Sequence, residues 1–127
     1  MGNVWMRYLG VALTVLVILF LTLDAGMKIA GAPPSIAATT ELGFQADVVP
    51  VLGWILAVIT ILYAVPRTST LGAVLLTGYL GGAIAVQLQH GSPLATHVLF
   101  GVYLGVLAWA GLWLRSESLR AALPVRR

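Results

Sequence analysis

The chain has no cysteine. Disulfides, thiolate catalysis, Cys-ligated metals and lipidation on cysteine are all excluded with it. Charge is nearly as scarce, at 9% of 127 residues, whereas 60% are hydrophobic and the mean hydropathy is +1.00. Water-soluble domains typically carry about a quarter charged residues. Too few polar side chains are left to cover a wet surface, so the solvent of this chain is lipid. Catalytic signatures are missing too. There is no HExxH helix, GxSxG elbow, CxxC pair or nucleotide loop, and Gly78-Tyr79-Leu80-Gly81-Gly82 lies inside an apolar run, where it cannot cradle a phosphate. The net charge of +3 is too small to recommend nucleic acid as a partner.

What is abundant is apolar length. Four runs, 4–23, 48–65, 70–88 and 94–114, are each roughly 18–21 residues, the length a helix needs to cross about 30 Å of hydrocarbon. Spanning segments must satisfy their backbone internally, as helices or as a closed barrel. Barrel strands alternate apolar and polar residues over about ten positions, and these runs do not. The expectation is one transmembrane domain over residues 1–127, all-α, with helices at about 4–29, 48–65, 70–89 and 94–115. Arg7 before an apolar core and Ala30-Gly31-Ala32 after it resemble a signal peptide, but the run is long for one and is taken as a retained helix. Turn chemistry separates the spans: Gly31-Ala32-Pro33-Pro34, Pro66-Arg67-Thr68-Ser69 and His90-Gly91-Ser92-Pro93. The last two connections are tight, which predicts an up-down-up-down four-helix bundle. In the longer first connection, Pro34 and Ser35 can start a short helix that Gly43 ends, or the segment is irregular.

Basic residues follow a pattern. Arg7, Arg67, Arg115, Arg120, Arg126 and Arg127 fall at the two ends and the second connection, which four spans place on one side; Lys28 alone falls on the other. The positive-inside rule puts both termini in the cytoplasm of a multi-pass cell-membrane protein, with a bacterial inner membrane as the expected setting.

Small residues recur at packing intervals: Gly78, Gly82 and Ala85 on the third span, and Gly101, Ala108 and Gly111 on the fourth, with Gly101 and Gly105 forming a GxxxG pair. Such stripes let helices approach closely in lipid. Gly78 and Gly82 are therefore expected to pack against a neighbouring helix, the alternatives being a homo-oligomer seam or a cleft for a flat ligand.

Polar residues gather toward the end opposite the arginines. Asp24 and Lys28 share a helix face in the favourable ion-pair order. Gln87, Gln89 and His90 close the third span, His97 opens the fourth, and Glu41, Gln45 and Asp47 come from the connection on that side. His97 shares a stripe with Gly101, Leu104, Ala108 and Gly111, which should face inward. Two histidines suggest haem or a metal only weakly, since a first-row metal wants more ligands. Tyr79 sits mid-helix, where its hydroxyl needs a backbone carbonyl or a ligand. Trp5, Tyr8, Phe44, Trp109 and Trp113 fit interfacial belts. The arginine half otherwise reads as featureless.

The run from Leu71 to Ala85, His97 leading into Val102-Tyr103-Leu104-Gly105-Val106-Leu107 and Trp109, and Leu114-Arg115 together resemble the DoxX-like membrane proteins. Gly26-Met27-Lys28 and Glu41-Leu42-Gly43-Phe44 agree with this. The resemblance implies a four-helix bundle with little defined chemistry; some relatives are subunits of quinone-linked sulfur oxidoreductases or partner with redox enzymes. Val86-Gln87 stands where relatives often show Thr-His, and Gly101 where proline is common. Those departures count against a His-dependent activity.

Three functions follow as expectations. The first is a non-catalytic module binding a quinone, a lipid or another small amphipathic ligand, or serving a membrane redox partner. Its site would draw on Asp24, Lys28, Glu41, Gln45, Tyr79, Gln87, His90 and His97, converging on one cavity, with no metal and quinone as the one possible cofactor. The second is an enzyme acting on a lipid-soluble substrate, with His97 as general acid-base and Glu41 or Asp24 as its partner. The third, a transporter or channel, lacks a polar path to the opposite face.

Overall fold

A computed structural model describes residues 4–123; Arg126 and Arg127, counted above in the charge asymmetry, lie outside them. Among the described residues every regular element is helical: α1 (Val4–Ala30), α2 (Pro33–Glu41), α3 (Val49–Ala64), α4 (Ser69–His90), α5 (Phe100–Arg115) and α6 (Glu117–Ala122). Four stretches, Val4–Ala30, Ala46–Ala64, Pro66–His90 and Leu94–Arg115, are long and apolar enough to cross a membrane. The protein is a multi-pass membrane helix bundle.

Local chemistry sets the breaks. Gly91 ends α4 in the left-handed region at φ 83°, its N–H reaching back to the Gln87 and Leu88 carbonyls. Glycine tolerates that φ without a Cβ penalty. Pro93 follows, and the chain re-enters a helix through one π turn, Leu94–Val98, before α5 begins. The fourth span is therefore not the uninterrupted helix expected from residue 94. In the first connection the helical alternative holds: α2 starts on a proline, and Gly43 follows its end at φ 105°.

The spanning helices form a ring in which α1 packs on α3 and α5, and α4 on α3 and α5. The α1–α5 and α4–α5 pairs run antiparallel. Gly10 near the start of α1 abuts Gly111 and Arg115 at the end of α5, whereas Phe20 meets Phe100 at the start of α5. Trp109 bonds Thr77, while Gly101 rests on Ile84 one helix over. Both described ends thus lie at one end of the bundle, here called the arginine end; the opposite end, carrying α2, is the loop end.

Val17, Leu21, Leu56, Tyr63, Leu76 and Leu112 fill the middle at no more than 2% exposure. Outside, Trp5, Leu19, Leu23, Trp54, Ile61 and Val106 stand exposed. An apolar belt of this kind requires lipid around it.

The arginine end is not featureless. Arg115 Nε donates to Thr14 Oγ1 at 2.9 Å and Nη2 to Ser69 Oγ at 3.4 Å, with the guanidinium 6.0 Å from the Tyr63 ring centre. Tyr63 in turn donates to the Ala108 carbonyl at 2.6 Å, reaching across the ring from α3 to α5. One arginine thereby joins α1, α4 and α5. Trp109 is not an interfacial anchor either: its Nε1 donates to Thr77 Oγ1 at 2.7 Å and staples α5 to α4. An indole N–H surrounded by lipid has no water to bond, so the nearest hydroxyl claims it.

Candidate functional site at the loop end

Toward the loop end the helices leave a cavity of about 450 Å³, within the range of small-molecule sites. Phe20, Leu21, Asp24 and Lys28 of α1 form one side, and Leu52 and Leu56 of α3 another. Residues from Gly78 to Gln87 of α4 form the third; His97, Phe100, Gly101 and Leu104 form the fourth. Thr39, Leu42 and Phe44 of the first connection cover the top.

The cavity exists because one glycine pair does not pack. At Gly72 an added Cβ would lie 2.3 Å from the Tyr63 backbone nitrogen, so α3 and α4 touch backbone to backbone there. Gly101 and Gly111 make similar close approaches, as their stripe predicts. At Gly78 and Gly82, by contrast, a Cβ would meet nothing within 4 Å. The expected tight packing at those two positions is overturned. They border open space, and the cleft alternative describes them.

Asp24 and Lys28, one turn apart on α1, form an ion pair, with Lys28 Nζ donating to Asp24 Oδ1. The side chains are 33% and 14% exposed respectively, so the pair is partly withdrawn into the wall. In that position each charge offsets part of the other's cost, because a lone charge facing hydrocarbon is expensive. Gln87, one turn before α4 ends, also lines the cavity; its Oε1 is buried with no partner among the described residues. An unsatisfied buried acceptor costs about 1–3 kcal/mol. Tyr79 presents its half-buried ring to the same space, and no described residue bonds its hydroxyl.

His97 lines the cavity too, but differently from the expectation. It sits in the π turn, is exposed, and its Nδ1 lies 2.8 Å from Thr96 Oγ1. The wide turn swings it out of the inward stripe that Gly101 and Leu104 occupy; such π turns often mark functional sites.

Asp24, Lys28, Tyr79, Gln87 and His97 are thus brought together, whereas three other candidates are not. His90 lines a separate, shallower recess with Leu42, Phe44 and Gln89. Glu41 and Gln45 are exposed and border neither space. The single helical turns of α2 point Thr39 inward and Glu41 outward, and Phe44, expected in an interfacial belt, covers the cavity instead. With His90 and His97 in different recesses, a two-histidine ligand pair is not assembled, and no three His, Asp or Glu side chains among the described residues group as a metal set.

Phe20, Thr39, Leu42, Leu52 and Phe100 were invisible as site residues in the sequence. Phe20 and Phe100 pair at 5.3 Å between ring centres and close the α1–α5 side. Only the antiparallel register brings them together, and no local pattern carries that register. The assembled site combines a donor at Lys28, acceptors at Asp24 and Gln87, and apolar walls. It can hold a molecule with a polar end and an apolar body.

Among curated proteins and among solved structures, none matches the chain. The sequence model of the DoxX-like family matches residues 12–111, which covers the second and third spanning helices whole and most of the first and fourth. Most of the chain is covered, and the chain belongs to the DoxX-like family.

Proposed function

We propose that this protein is a non-catalytic membrane module that binds a small amphipathic molecule, of the quinone or lipid class, in the loop-end cavity. One observation carries the reading: Gln87 Oε1 is buried without a partner among the described residues, in the wall of a cavity lined mostly by apolar side chains. Buried acceptors are almost always satisfied, and a ligand hydroxyl would satisfy this one. The catalytic alternative has less support, because Asp24 is engaged by Lys28 and Glu41 stands outside the cavity, leaving His97 without an acidic partner. A quinone-binding role would also suit a membrane subunit that serves a redox partner.

Native mass spectrometry of protein taken from its own membrane tests the reading. A bound quinone, quinol or lipid is expected, and its loss in Gln87→Leu ties it to the cavity; protein that flies bare under conditions retaining ordinary lipid contacts sinks the idea. The proposed orientation, loop end outside, rests on the arginine asymmetry. The chain has no cysteine of its own, so a single cysteine at Ser35 should label with an impermeant thiol reagent in whole cells, and one at Ser69 should not.

A further inference from the structure

The cavity has a side door. Gly72, Tyr79 and Val86 recur every seven residues along α4 and therefore share one flank, with Gly82 between the last two. At the Gly72 end this flank lies against the backbone of α3. Toward the loop end the same flank borders the cavity, with Leu52 and Leu56 of α3 on the far side, and Gly82 meets nothing within 4 Å. The α4–α5 seam, in contrast, stays shut at the same level, where Gly101 packs on Ile84 and the Leu80 carbonyl. The α3–α4 seam thus opens progressively, like a wedge with its hinge at Gly72 and Tyr63.

Depth decides what this opening faces. Gly82 lies eight residues before His90 and Gly78 twelve, so they sit roughly 12 and 18 Å below the end of α4 at about 1.5 Å per residue. One leaflet of hydrocarbon is about 15 Å thick. The slot therefore opens into acyl chains and not into water. Above it, Leu42 and Phe44 cover the aqueous side.

We propose that the ligand is a tailed amphiphile taken sideways from the loop-end leaflet through the slot between α3 and α4, its polar head between Lys28 and Gln87 and its tail lying out across Gly78 and Gly82. This rests on the reading of the cavity as a ligand site. Two observations independent of the glycines point the same way: the unpartnered Gln87 acceptor supplies a polar terminus for a head, and the Asp24–Lys28 pair sits at that same end. The remaining wall is mostly apolar, and Gly78 and Gly82 bring it out to the exposed surface of α4. A fully water-soluble ligand would leave that half of the cavity unfilled.

The test uses the full-length protein in lipid nanodiscs and two probes with the same head: hydroquinone bearing a decyl chain, and unsubstituted hydroquinone. Gly82→Leu places a side chain in the slot without touching Lys28 or Gln87, and the open space around it spares the fold. This variant is expected to weaken the decyl probe by about tenfold or more while leaving unsubstituted hydroquinone within about twofold. Gln87→Leu should weaken both probes alike. Should Gly82→Leu keep full affinity for the decyl probe, or lose both probes equally at an unchanged melting temperature, lateral access is wrong while the cavity remains a binding site. Wild-type protein that takes neither probe overturns the ligand reading itself, and the slot with it.

Discussion

The two ends of this bundle solve the same problem in opposite ways. Each withdraws polar groups from water into a helical membrane protein, where an unpaired group is costly. At the arginine end the groups satisfy one another: Arg115 bonds Thr14 and Ser69, and Tyr63 bonds a backbone carbonyl, around a seam where glycines let backbones touch. At the loop end the Asp24–Lys28 pair closes on itself, Gln87 is left unpartnered, and Gly78 and Gly82 border empty space. Self-satisfied polar groups beside close packing hold a fold together. Unsatisfied ones beside a void leave something for another molecule to complete.

If that contrast is sound, substitutions should sort by end. The largest effect is expected at Gly72, where even alanine forces a Cβ into the α3 backbone; Gly72→Ala should lower stability by about 1–3 kcal/mol, read from thermal unfolding in detergent. Next comes Arg115→Met, which removes the donor to Thr14 and Ser69; a loss of about 1–2 kcal/mol is expected in the same assay. Asp24→Asn strips Lys28 of its counter-charge in a partly exposed position, so a smaller loss, about 1 kcal/mol, should accompany weakened ligand binding. Gln87→Leu should sharpen the comparison most. Exchanging an unsatisfied buried acceptor for an apolar group should leave stability unchanged or raise it by up to about 1 kcal/mol, while binding falls. Smallest of all is Gly82→Ala, expected within about 0.5 kcal/mol of wild type in stability, as for a substitution touching nothing. A large loss there, matching Gly72, would erase the distinction between the two ends.

Helix positions were legible because they depend on local chemistry. Apolar length located the four spans, and Gly91 with Pro93 marked the break before α5. The site was legible only where its residues share a helix face: Asp24 with Lys28 follows from a spacing of four. Stripes proved ambiguous for a physical reason. Gly72 and Gly82 are the same residue type on the same helix, and their fates differ because α3 is close to one and not to the other. That distance is a tertiary property. The same holds for Arg115, which counted only toward the charge asymmetry until its partners arrived from helices 46 and 101 residues away in the chain. The π turn that redirects His97 has no sequence cue beyond the proline before it.

Tyr63 has a consequence for the membrane as an insulator. Its hydroxyl crosses from α3 to α5 at the level where Arg115 covers its ring, and Leu76 and Leu112 pack tightly beneath the cavity floor. The cavity is therefore closed toward the arginine end. A transmembrane voltage is worth about 2.3 kcal/mol per elementary charge per 100 mV, but only for charge moved through the part of the barrier where the voltage drops. A charged head group settling beside Lys28, two residues before α1 ends, would cross little of the field, so its affinity should be nearly indifferent to whether the cell is energised.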